Sequence, residues 1–136
     1  MPLEEDEELR ELLEFDTIAV VGCSATPGKA AHEVPAYLRR HEYEIIPVNP
    51  FRDEIFEREP YKSLSDVIEN IDIVEIFRPS DEVAGIVDEA LNRGDVAAIW
   101  MQIGIRDGAA ARRAEAAGLR VVQDRCMKVE YGMLMR

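Results

Sequence analysis

The chain has 136 residues, with 28 acidic against 16 basic side chains and a formal charge of −12. That length fits one domain, residues 1–136, around a single hydrophobic core. The charge argues against nucleic acid as a partner over most of the surface, and no apolar run is long enough to span a membrane.

Only Lys29, Lys62 and Lys128 among the bases are lysines. Abundant acid with so little lysine fits a halophilic protein, kept soluble in concentrated salt where self-repulsion is screened. An ordinary acidic cytosolic protein is the alternative. The first residues, MPLEEDEELRELLEF, are acidic where a secretory leader is basic and then apolar, which points to the cytoplasm. Cys23 and Cys126 make no disulfide framework and have no metal-ligand spacing, so both are read as reduced thiols.

In chain order, Glu4–Glu14 carries Leu9, Leu12 and Leu13 among carboxylates and predicts a short amphipathic helix. Ile18–Val21 is a β-branched apolar run, a buried parallel strand. The turn Gly22-Cys23-Ser24-Ala25-Thr26-Pro27-Gly28 follows, then a helix from about Ala30 to His41. Pro35 implies an irregular first turn there, or a helix proper that begins near Val34. Tyr43–Val48 is a second strand, stopped by Asn49-Pro50, and Phe51–Lys62 is irregular. Ser63 could cap a helical turn over Ser63–Asn70. Ile71–Phe77 is a third strand, and Ser80 or Asp81 caps a helix to Asn92. Val96–Met101 is a fourth strand. Asp107 caps a helix over Gly108–Ala117 with Gly118 just past its end, and Leu119–Val122 is a fifth strand before a short tail, Met127–Met135. Strands alternating with helices predict an α/β fold, a single Rossmann-like doubly wound parallel sheet of five strands in the order 3-2-1-4-5.

Strand, Gly/Ser-rich turn, then helix is how such a sheet builds an anion site, because backbone N–H groups converge at a helix N-terminus. Ligands in these folds lie beyond the carboxyl ends of the strands. Four loops end there: Gly22–Lys29, Asn49–Arg52, Phe77–Ser80 and Gln102–Arg106. A dinucleotide loop would place a second glycine where Ser24 stands, and an NAD site wants a carboxylate after the second strand where Asn49 stands. Lack of that carboxylate suits a nucleotide with a phosphate on its ribose.

The stretches IAVVGCSATPGKAAHEVPAYL, IIPVNPFRDEI, YKSLSDV, IVEIFRPSDEV and IWMQIGIRDGAAARRAEAAGLRVVQDRC run in order from Thr17 to about Glu130. Together they resemble the stand-alone coenzyme A-binding proteins, whose domain is similar to the N-terminal domain of the succinyl-CoA synthetase alpha subunit. The resemblance implies these roles. Gly22, Ser24 and Ala25 offer donors to a pyrophosphate and Lys29 adds charge. Asn49 and Pro50 border the adenosine ribose. Phe77, Arg78 and Pro79 wall the adenine and phosphate side. Gln102, Gly104 and Ile105 line the path of the pantetheine arm. Two positions depart from the family pattern: Glu57 and Glu42 each stand where glycine is usual.

Several of these residues have a plainer reading. Ser24 lacks an activating base in the sequence and reads as a phosphate-bonding hydroxyl rather than a nucleophile. Cys23 could carry a thioester or a mixed disulfide with a ligand thiol, or be a small packed residue. His32 could face phosphates, and His41 reads as a solvated helix-end residue. Arg78 could instead pair with Asp81 or Glu82. Arg52 and Arg58 could reach a ribose phosphate or be solvated. Trp100 reads as core, Asp124 and Arg125 as an ion pair with each other, and Cys126 as buried. The expected function is binding of coenzyme A or an acyl-CoA by a non-catalytic or regulatory protein, with a homo-oligomer or an unidentified protein partner left open. The alternatives are an accessory subunit of a CoA ligase, complete ligase machinery being too large for this length, and an NAD(P)-type dinucleotide binder.

Overall fold

The computed structural model describes residues 3–135; Met1, Pro2 and Arg136 lie outside the described residues. Five strands, β1 (Thr17–Val21), β2 (Glu44–Val48), β3 (Ile73–Ile76), β4 (Ala98–Met101) and β5 (Arg120–Val122), form one all-parallel sheet. Five helices accompany them: α1 (Leu3–Leu13), α2 (Ala30–Arg40), α3 (Val83–Arg93), α4 (Gly108–Ala116) and α5 (Met127–Leu134). The sheet is Rossmann-like and doubly wound, as the alternating pattern predicts.

Its strand order is β2-β1-β3-β4-β5 rather than 3-2-1-4-5. The reason lies after β2. The chain leaves β2 by an irregular loop, and Tyr61 pairs in parallel with the end of β2, with Asn49 N–H donating to Tyr61 O and Tyr61 N–H to Pro47 O. It then crosses on the face opposite α2, where Leu64, Val67 and Ile71 pack with α3 and α4, and a right-handed crossover on that face carries β3 past β2 to the far side of β1. Thus β3 pairs with β1 and lies at the centre.

Helices α1, α2 and α5 cover one face, where Leu9, Leu12, Leu13, Val34, Leu38 and Met127 meet Ile18, Val20, Ile73 and Trp100. Helices α3 and α4 cover the other, where Val83, Ile86, Val87, Ala110 and Ala114 meet Ala19, Val74, Ile76 and Ile99. With both faces covered, the central strands are fully buried. The caps follow in part. Asp107 Oδ1 accepts from Ala110 N–H at 3.0 Å, and Gly118 takes φ +96° just past α4. Neither Ser80 nor Asp81 caps α3: a 3₁₀ turn, Ser80–Glu82, precedes it, and Ser80 Oγ accepts from Arg106 N–H in the next loop. Only a short 3₁₀ turn, Leu64–Asp66, forms in the Ser63–Asn70 stretch.

Glu42 and Glu57, in place of the family's glycines, adopt φ of +74° and +65°. The backbone keeps the left-handed turn that glycine would make without strain.

Candidate functional site

Strand order sets where a ligand can enter. From β1 the chain leaves toward α2 on one face, and from β3 it leaves toward α3 on the other, so a crevice opens beyond the carboxyl ends of β1 and β3. Gly22 stands at its base with φ +87°. A Cβ there would lie 2.9 Å from Arg78 Cδ and 3.3 Å from the Phe77 carbonyl carbon. Gly22 is therefore required twice, by its backbone angle and by the close pass of the β3 loop.

Pro35 does not delay α2, which is helical from Ala30. Proline has no N–H to give to the carbonyl four residues back, Ala31 O. That carbonyl instead accepts from Ser24 N–H at 2.9 Å, and Ser24 O meets His32 Nδ1 at 2.9 Å. The proline so frees an acceptor that pins the loop to α2. Ser24 Oγ accepts from Thr26 N–H at 3.0 Å, and Gly28 N–H donates to Glu33 Oε2 at 3.1 Å. The loop thus uses several of its donors internally, Ser24 N–H among them. Ala25 N–H meets no protein acceptor among the described residues. Lys29 is exposed at the N-cap of α2, with the Glu33 carboxylate in the same first turn.

Asn49 ties the loops after β1 and β2 together. Its Nδ2 donates to Cys23 O at 2.9 Å, and its Oδ1 accepts from Phe51 N–H at 2.8 Å. A cavity of about 320 Å³ opens over Val21 and Val48, lined also by Gly22, Asn49, Pro50, Phe51, Lys62, Leu64, Arg78, Glu82 and Ile86. Gly22, Asn49, Pro50 and Arg78 are accordingly brought together. Arg78 is held bidentately by Glu82, at 3.0 and 2.8 Å, one helical turn on; this hydrogen bond raises its already high pKa.

The remaining expected residues lie elsewhere. Phe77 and Ala25 pack against the α1–α2–α5 face, and Pro79 is exposed. Gln102, Gly104 and Ile105 form a turn after β4, held by Ile105 N–H to Gln102 O and Gly104 N–H to Asp124 Oδ1; it does not line the cavity. Asp124 pairs with Arg106, while Arg125 pairs with Glu5 and Glu130 and takes the Trp100 indole N–H on its carbonyl. Cys126 is half-buried rather than buried. A larger concavity, about 930 Å³, runs along the free edge of β5 beside α1, but its arginines are paired with carboxylates and it lies away from the loops at β1 and β3.

One group was not legible beforehand. Glu75, in the middle of β3 between Val20 and Trp100, is completely buried, and neither carboxylate oxygen has a hydrogen-bond partner among the described residues. Desolvation pushes its pKa up to about 8. On the same face, Cys23 is also fully buried; burial first, and the charge of Glu75 second, push its thiol up to about 12. Such a thiol stays protonated and unreactive.

A family model described as CoA binding domain matches residues 16–132. The chain belongs to the CoA-binding domain family. Family members include small stand-alone proteins: YneT of Bacillus subtilis is 35% identical over 127 residues, 93% of each chain. A hypothetical protein from Pyrococcus horikoshii superposes with TM-score 0.93 at 33% identity, covering 100% of this chain and 97% of that one. A Thermus thermophilus structure, cell-free ID.343, gives TM-score 0.89 at 40% identity, covering 95% and 98%. The CoA-binding domain also resembles part of larger enzymes. An ADP-forming acetate–CoA ligase of Methanocaldococcus jannaschii is 31% identical over 102 residues, 75% of this chain and 14% of the ligase. No helix among the described residues is long and apolar enough to cross a membrane.

Proposed function

We propose that the protein binds coenzyme A or an acyl-CoA in the crevice beyond β1, β2 and β3, and that it acts as a binding or regulatory protein rather than as a catalyst. The observation that carries this reading is the junction of Gly22, Asn49 and Arg78. Three loops from three strands meet there, with a glycine where a side chain would be strained and crowded against Arg78, and no carboxylate at the end of β2 to repel a phosphorylated ribose. Membership of the CoA-binding domain family supports the same ligand. The protonated Cys23 thiol supports binding over covalent chemistry at that loop.

A ligand that binds only the folded state raises the melting temperature by mass action, by about 2.7 kcal/mol of stability at a hundredfold excess over its Kd. Coenzyme A is expected to raise it and NADH to do so far less. Equal shifts from the two, or none from either, refute the assignment.

A further inference from the structure

Among the lining side chains without a role under the family resemblance are an aromatic ring, Phe51, and an ammonium, Lys62. Phe51 is 83% exposed, whereas every other Phe, Tyr and Trp among the described residues is buried or half-buried. A phenyl ring gains more by leaving water than most side chains, so an exposed one at a cavity mouth offers apolar area to something. Its backbone is anchored. Phe51 N–H donates to Asn49 Oδ1, and the Asn49 amide is itself fastened to Cys23 O.

Lys62 stands beside it, because Tyr61 pairs in parallel with Val48 at the end of β2 and brings the next residue to the same cavity. Its ammonium approaches only a carbonyl, Pro50 O at 3.4 Å, and it enters no ion pair among the described residues, in a chain of net charge −12. The other cation of the cavity, Arg78, is already held by Glu82. A second carboxylate in the lining, Glu89, is engaged by Ser65 N–H and Oγ at 3.1 and 3.0 Å. The cavity therefore presents an aromatic face, an uncommitted ammonium and an apolar floor of Val21, Val48, Leu64 and Ile86. That set suits a flat heterocycle with a phosphate close by.

We propose that Phe51 and Lys62 form a purine–phosphate subsite, in which the Phe51 ring stacks on the base and Lys62 pairs with a phosphate monoester on the attached ribose. The proposal rests on the coenzyme A reading and sharpens it. It separates the two cations, giving the ribose phosphate to Lys62, and predicts preference for coenzyme A over its dephosphorylated form.

Calorimetric titration of the full chain with coenzyme A, dephospho-coenzyme A, phosphopantetheine and adenosine bisphosphate tests it. Phe51→Ala is expected to weaken coenzyme A and dephospho-coenzyme A alike, by about tenfold, the usual size of one base–aromatic stack. Phe51→Trp restores affinity, and its indole fluorescence is quenched on binding against the buried Trp100. Lys62→Ala weakens coenzyme A by about tenfold and dephospho-coenzyme A by less than about twofold, as loss of one phosphate contact requires. Phosphopantetheine is indifferent to both changes. Both side chains are exposed, so the melting temperature without ligand should be unmoved. Wild-type affinity in both alanine variants, or equal weakening of coenzyme A and phosphopantetheine, overturns the subsite. Should coenzyme A fail to bind the wild type, the functional reading falls. The subsite is then judged on adenosine bisphosphate alone: binding that Phe51→Ala and Lys62→Ala abolish upholds it, and no binding overturns it.

Discussion

Glu75→Gln isolates one buried proton. The carboxyl lies between Val20 and Trp100 with no partner for either oxygen among the described residues, and burial raises its pKa from 4.5 to about 8. In the unfolded chain it ionises near the lower value. Between the two values the folded state holds a proton that the unfolded state has lost. Stability therefore falls as pH rises through that window, with a slope near 1.4 kcal/mol per pH unit, and levels off above the folded pKa. Below the unfolded pKa the full contribution is present. Glutamine is nearly the same shape and neutral throughout, so the difference in unfolding free energy, variant minus wild type, should climb by about 4 kcal/mol from about pH 5 to about pH 9. Other carboxylates titrate in both proteins and cancel in that difference. Urea denaturation at fixed ionic strength across this range, followed by far-UV circular dichroism, measures it. Parallel curves for the two proteins would show that Glu75 has a partner or reaches water, and would refute the assignment of a lone neutral acid.

Three further changes test the frame around the site. Arg93, whose side chain is only 12% exposed, donates to the carbonyls of Leu64, Val67 and Glu69 and to Asp95. Arg93→Ala should cost about 2–4 kcal/mol in denaturant unfolding, and Arg93→Lys should not rescue it, since an ammonium cannot span the same fork of acceptors; a loss below about 0.5 kcal/mol would show that these bonds are replaced by water. Glu57→Gly and Glu42→Gly should each gain up to about 1 kcal/mol by relieving a left-handed φ, less the extra freedom of glycine in the unfolded chain; two destabilised variants would mean the turns carry no strain. Finally, the −12 charge and shortage of lysine predict a melting temperature that rises from low to molar KCl, and a flat or falling profile refutes the halophilic reading.

What the sequence determined by itself is local. Apolar runs such as Ile18–Val21 and Val96–Met101 announce buried strands, Asp107 and Gly118 mark the ends of α4, and glycine, serine and threonine together mark the loop after β1. These signals need only near neighbours: the period of a strand, the free N–H groups of a helix start, a backbone angle that glycine tolerates. Strand order is not of this kind. It depends on which side of β1 the chain returns after β2, and that was decided by the packing of Leu64, Val67 and Ile71 on the face opposite α2, from which a right-handed crossover lands beside β1. Glu75 shows the consequence. In the order 3-2-1-4-5 its strand would be an edge, where a carboxylate finds water easily; in β2-β1-β3-β4-β5 the same residue lies at the centre, sealed by β1, β4 and the helices above it. Phe51 and Lys62 sit in a stretch without periodicity, so no pattern marked them, and only the tertiary path set them facing Gly22 and Arg78 across one cavity. Pro35 is the converse case. The sequence showed a residue that should disturb a helix, but only the fold supplied Ser24 N–H to take the carbonyl it leaves free.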